Sequence, residues 1–194
     1  MVEKMALKIV GKMEKRKIIN ESNCKYYTYA LIAIAENTVT VCTMLLIGLL
    51  FNQFLYTICF IYFFLSLRRR TGGFHADKFW QCYFGTVIIH ILIIQIASVV
   101  CRNQTIMYGL LFGAAISIWI MGTINHPNLN MDKDELQMSK KAARLFVLTE
   151  VMAIVVLTFL RVNIMYIYNM SMAIILCALL MYLSKILKQE VMRK

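Results

Sequence analysis

The stretch NQFLYTICFIYFFLSLRRRTGGFHADKFWQC, residues 52–82, joins an apolar run to a basic and polar one. Residues 54–67 carry no charged side chain, and three consecutive arginines follow at positions 68–70. About 20 apolar residues in a helix cross a bilayer. Arginines that end such a helix are typical of its cytoplasmic side. The stretch therefore predicts a membrane span followed by a polar segment in the cytoplasm.

The whole composition repeats this pattern. The chain has 194 residues, of which 60% are hydrophobic, and a soluble domain of this length has no core large enough to bury them. One proline and eight glycines fit long helices, and no alternation typical of a membrane barrel is present. We expect an all-α, polytopic membrane protein. The formal charge of +11 does not indicate nucleic-acid binding, because the basic residues lie between the spans.

About six transmembrane helices are predicted within a single domain, residues 1–194. Their approximate ranges are 28–50, 52–67, 83–101, 106–124, 143–160 and 164–184. An amphipathic helix at 2–17 precedes them, inside a charged cytoplasmic segment 1–25. Val2, Met5, Ile9 and Met13 repeat there at helical spacing, among lysines. Such a helix lies on anionic membrane lipids or packs against the protein's own loops, and the sequence leaves both interpretations open.

The distribution of charge predicts the orientation. Basic residues are concentrated in the N-terminal segment, in 68–82, in 125–142 and in the C-terminal tail, whereas the opposite turns contain only Arg102 and Arg161. The positive-inside rule then places both termini in the cytoplasm, where thiols stay reduced. The six cysteines are scattered without a CxxC pair, so neither a disulfide framework nor a zinc site is expected. No metal or other cofactor is predicted.

A histidine and a cysteine lie close together in the segment 68–82. Gly72 and Gly73 allow the backbone to turn after the arginines. His75 and Cys82 follow, and an imidazole that takes a thiol proton is the basis of cysteine protease chemistry. On one unbroken helix they would be roughly 10 Å apart. A working pair therefore requires His75 outside the helix of Cys82, for example with Asp77 as its N-cap. The alternative is a structural histidine and a buried cysteine.

Two acidic residues lie inside predicted spans, where an ionisable group indicates function by default. Glu36 could orient His75 or hold part of a substrate. Alternatively it is a protonated acid, or one paired with the arginines 68–70. Glu150 has no role that the sequence assigns.

The central motif resembles the accessory gene regulator B family of Gram-positive bacteria. The matching residues are Arg68, Gly72, Gly73, Phe74, His75, Ala76 and Cys82, and the inner loop HPNLNMDKDELQMSKKAAR, residues 126–144, is also similar. The resemblance implies a multi-pass protein of the cell membrane with a cytoplasmic active site. It implies a cysteine endopeptidase, with Cys82 as nucleophile and His75 as general base. It further implies a homodimer, which the sequence neither supports nor excludes.

The substrate implied by this resemblance is the precursor of a quorum-sensing autoinducer. Its C-terminal tail would be released through an acyl-enzyme thioester, which then allows closure of a thiolactone or lactone ring. Because such a tail is expected to be acidic, the basic inner residues are candidates to bind it: Arg68, Arg69, Arg70, Lys140 and Lys141. The rival interpretations are an exporter of the peptide without proteolytic chemistry and a purely structural membrane scaffold.

Overall fold

A computed structural model describes residues 2–16, 18–20, 24–74, 79–125 and 131–187. Within these ranges the chain is all helical, with seven helices and no strand. The helices are α1 (Val2–Lys15), α2 (Cys24–Leu50), α3 (Phe54–Thr71), α4 (Phe79–Arg102), α5 (Gln104–Met121), α6 (Lys133–Phe159) and α7 (Ile164–Ile186). The predicted fold class is confirmed.

Five of the helices are long and apolar enough to cross a membrane: α2 from Ala30, α4, α5, α6 and α7. The chain is therefore a multi-pass membrane protein. The remaining predicted span, 52–67, forms α3, which has 18 residues. Three of those residues are the arginines 68–70, whereas each of the five helices named above includes an 18-residue stretch with at most two charged side chains.

The chain forms two compact units, residues 1–44 and 45–194, and α2 runs from the first into the second. In the first unit, the predicted N-terminal helix forms as α1. Ala6 and Val10 are buried on one face of it, whereas Leu7 and Ile9 are exposed. The side chains of Val2 and Met5 lie outside the described part of the structure. Binding of α1 to anionic lipid stays a prediction.

The second unit is built around α7. This helix packs against α3, α4, α5 and α6, and most of its side chains are buried. Small residues, among them Ser171, Ala173 and Cys177, occupy its buried positions. Small side chains let neighbouring backbones approach closely, which is how helices pack in a membrane that supplies no hydrophobic driving force.

The helix ends of the second unit meet in two groups. At one end, the Ile124 N–H after α5 donates to Thr71 O at the end of α3, at 2.9 Å, and the Phe74 N–H donates to Leu180 O of α7, at 3.0 Å. At the other end, the rings of Tyr56 and Tyr166, near the starts of α3 and α7, have centroids 4.6 Å apart. One group of ends thus includes the polar segments predicted after α3 and α5, and the other includes the tight turns predicted before α3 and α7.

Candidate active site

The glycine pair ends α3 and turns the chain. Gly72 and Gly73 have φ values of 65° and 116°, a region that L-residues with side chains rarely adopt. A Cβ atom at Gly72 would lie 2.8 Å from Ile124 O, and one at Gly73 would lie 3.2 Å from Leu180 O. Both positions therefore need glycine, for conformation and for space. The prediction of a glycine turn is confirmed.

Arg68 holds this turn from inside. Its guanidinium donates to the carbonyl oxygens of Gly72 and Phe74, and it lies against Gly73. A planar guanidinium presents several donors in a fixed geometry, so one side chain can bind two carbonyls at once. Arg68 thus fixes the backbone immediately before His75. We call residues 72–74, with the Arg68 side chain, the clamped turn.

Neighbouring helices support the clamped turn. Phe74 donates its N–H to Leu180 O of α7, and Ile124 donates to Thr71 O, as described above. The Arg70 carbonyl accepts hydrogen bonds from the hydroxyls of Thr123, at 2.8 Å, and Ser139, at 3.1 Å. Elements far apart in sequence therefore meet at the end of α3.

His75, Ala76, Asp77 and Lys78 lie outside the described residues. The distance between His75 and Cys82, and the predicted cap at Asp77, therefore stay predictions. The chain leaves the clamped turn at Phe74 and is described again from Phe79, where α4 begins.

Cys82 is the fourth residue of α4 and its side chain is exposed. It lies within electrostatic range of the Arg68 guanidinium. Of the six cysteines, all free thiols, only Cys82 and Cys42 are exposed. The alternative interpretation of Cys82 as a buried cysteine is therefore wrong. Cys82 is thus an exposed thiol near the half-buried Arg68.

Aromatic residues flank Cys82 in the first turns of α4. The rings of Phe79, Trp80, Tyr83 and Phe84 contact one another, with centroids 5.3–6.0 Å apart. Trp80 and Phe84 are exposed. Aromatic side chains are enriched at the interface between membrane and water, so these rings favour a position of Cys82 at that level.

The predicted basic residues differ in their surroundings. Arg69 and Lys141 are exposed, whereas Lys140 is half-buried and packs its stem against Gly122. The Arg70 guanidinium lies 4.6 Å from the centre of the Phe146 ring, a cation–π contact. Binding of an acidic substrate by these residues stays a prediction. Glu36 lies half-buried in the first unit, and its predicted role toward His75 is likewise untested.

Two features near the site were not predicted from the sequence. One is the use of Arg68 to hold the backbone, which the spacing R-x-x-x-G-G permits but does not require. The other is a hydrogen bond between Ser66 of α3 and Glu150 of α6. Their separation of 84 positions left no sequence signal for that pair.

Comparison with known proteins identifies one family. The family model described as Accessory gene regulator B matches residues 6–185, nearly the whole chain. No curated protein and no solved structure matches the chain.

Proposed function

The chain belongs to the accessory gene regulator B family, whose members take part in processing quorum-sensing peptides, and we propose that it is a membrane cysteine endopeptidase. Cys82 is the nucleophile and His75 the general base. The substrate is the precursor peptide of an autoinducer, and the bond cleaved joins the future ring to its C-terminal tail.

The observation that carries this proposal is the exposed Cys82 thiol, which lies within electrostatic range of Arg68, the side chain that holds the clamped turn. Arg68, Gly72 and Gly73 fix the backbone up to Phe74, the residue that precedes the proposed base. Preorganisation of this kind is what nucleophile and base need, because a small misplacement lowers the rate steeply.

The chemistry proceeds in two steps. His75 takes the Cys82 thiol proton while the sulfur attacks the scissile carbonyl, and the same proton passes to the leaving nitrogen of the tail. The C–N bond breaks, and the remaining peptide is held as a thioester on Cys82. In the second step a thiol or hydroxyl within the peptide attacks the thioester and releases the Cys82 thiol. The product is a thiolactone or lactone.

Basic residues supply the charge that orients the tail. Arg69, Arg70 and Lys141 are exposed and can meet an acidic peptide in solution, while Lys140 is half-buried against Gly122. Arg68 is half-buried and lies within electrostatic range of Cys82. Charges of this kind steer and orient a partner more than they add affinity.

The distribution of charge supports an orientation in the membrane. We place both termini and the site on the cytoplasmic face, because the positive-inside rule assigns the segments rich in basic residues to that face. Anionic lipids on the same face would attract the lysines of α1. A Gram-positive host is proposed on the family resemblance alone. We also propose that the protein forms a homodimer, and this rests on the family resemblance alone.

The test is cleavage by the purified protein in lipid nanodiscs. A synthetic precursor is incubated with it, and the released tail is measured by mass spectrometry. Cys82→Ala should abolish release, whereas Cys42→Ala, which removes the other exposed thiol, should leave it unchanged. Release by the Cys82→Ala protein would overturn the assignment. Transport of intact peptide into vesicles without cleavage would favour an exporter instead.

A further inference from the structure

A carboxyl group lies buried between the helices of the second unit. Glu150 of α6 is 7% exposed. It lies on the packed face of α6, in line with Val147 and Ile154. Burying an ionised carboxylate in an apolar environment is expensive unless it is paired with a cation. The partners of Glu150 therefore decide its chemical form.

Glu150 has one hydrogen-bond partner among the described residues. Its Oε1 atom is hydrogen-bonded to the Ser66 hydroxyl, while Oε2 has no partner there. No cation in the described part of the chain forms an ion pair with it. The Cys177 thiol of α7 lies within electrostatic range of Glu150, and Arg68 of α3 lies within range of the same thiol.

The Ser66 hydroxyl has two oxygens within reach. Besides Glu150, the Phe63 carbonyl lies 3.0 Å from Ser66 Oγ. A hydroxyl carries one proton and two lone pairs, so it cannot donate to both oxygens at once. If Glu150 is a neutral acid, its own O–H donates to Ser66, and Ser66 donates to Phe63. Both contacts are then satisfied without burying a charge.

Ser66 lies two positions before Arg68 on α3, and the neighbouring Cys177 of α7 donates to Phe64 O at 3.7 Å. The position of the Arg68 Cα atom, and so of its guanidinium, depends on where this last turn and a half of α3 lies. Arg68 in turn binds the carbonyls of Gly72 and Phe74.

We infer that Glu150 is a positioning residue: its neutral carboxylic acid donates to Ser66 and fixes the end of α3 from which Arg68 holds the turn before His75. The inference rests on the proposed function for its link to catalysis. The link from Glu150 to the site is also testable without any cleavage.

The experiment compares Glu150→Gln with Glu150→Ala in nanodiscs. A glutamine amide can donate to Ser66 in place of the acid, whereas alanine cannot. One lost buried hydrogen bond corresponds to about a tenfold effect. We expect Glu150→Ala to lower kcat for precursor cleavage about tenfold with little change in KM, and Glu150→Gln to stay within about threefold of wild type.

A second readout is the rate at which iodoacetamide alkylates Cys82, followed by peptide mapping. The rate should change in Glu150→Ala, because Arg68 moves relative to the thiol, and should return toward wild type in Glu150→Gln. Each alkylation rate is divided by the amount of folded protein recovered from size-exclusion chromatography. This corrects for any misfolded fraction. Ser66→Ala should change the alkylation rate as Glu150→Ala does. The double variant should differ little from either single variant, because both substitutions remove the same contact between Ser66 and Glu150.

Three results would overturn the inference. The first is an equal alkylation rate in wild type, Glu150→Ala and Glu150→Gln. The second is a Glu150→Gln protein as impaired as Glu150→Ala, since an ionised carboxylate would then be what the site needs. The third is full additivity of the Ser66 and Glu150 substitutions. A wild-type protein that fails to cleave precursor would count against the proposed function, while the alkylation comparison would still decide this inference.

Discussion

Replacement of Arg68 by lysine separates the geometry of its side chain from its charge. Lysine keeps the positive charge but is a compact point donor, whereas the guanidinium binds the Gly72 and Phe74 carbonyls together. If Arg68 acts by holding the backbone, Arg68→Lys should be severely impaired. If it acts as a general positive charge toward the substrate, the variant should retain most activity.

The magnitude follows from the two hydrogen bonds. A hydrogen bond from a charged donor contributes about 1.5–3 kcal/mol. Lysine can replace one of the two at best, so the held turn loses about 1.5–3 kcal/mol relative to its alternatives. Since 1.4 kcal/mol corresponds to about a factor of ten, kcat should fall roughly ten- to hundredfold. KM should change little, because lysine keeps the positive charge that orients the tail.

The assay is single-turnover cleavage of the precursor, with enzyme in excess over peptide. Arg69→Lys is the matched control, because Arg69 is adjacent and exposed. It should stay within about twofold of wild type, because lysine keeps the positive charge and contacts of an exposed side chain contribute little. Wild-type kcat in Arg68→Lys would refute the reasoning. So would equal losses in Arg68→Lys and Arg69→Lys.

Three further predictions concern the turn, the start of α6 and the basic surface. Gly72→Ala should lower the melting temperature, because φ is 65° and the new Cβ would lie 2.8 Å from Ile124 O, whereas Gly85→Ala, with open space around it, should not. Asp132→Ala should destabilise α6 by about 1 kcal/mol, since it removes the N-cap that accepts from the Asp134 N–H; an unchanged denaturation midpoint would contradict this. Arg69→Glu combined with Lys141→Glu should raise KM and weaken the salt dependence of cleavage, and an unaltered salt dependence would count against electrostatic steering.

The helices were predictable because a membrane-spanning helix requires a long apolar run, which the sequence shows directly. The residues at which the helices begin and end were not predictable in this way. Span 143–160 is the later part of α6, which begins at Lys133. The pattern of Asp132 and Glu135 is a capping box, a signal that the sequence contained and the span prediction did not use. Likewise, α3 continues through the arginines, which favour helix, and ends where Gly72 turns the chain.

The candidate site was predictable only in part. The glycine turn follows from local sequence, since it depends on a few adjacent residues, whereas the sequence left open whether Cys82 is exposed or buried. The support from Leu180 and Ile124, and the contact between Ser66 and Glu150, depend on which helices become neighbours. No local pattern specifies that, because every apolar helix offers a similar surface to its neighbours in the membrane.

The covalent intermediate on Cys82 tests the central claim most directly. A precursor whose internal thiol or hydroxyl has been removed can form the thioester but cannot close the ring. After reaction with such a peptide and rapid acid quench, mass spectrometry should find Cys82 heavier by the peptide without its tail. If the tail is released at the normal rate and no adduct on Cys82 is ever found, the peptide bond is hydrolysed directly and the acyl-enzyme account is wrong.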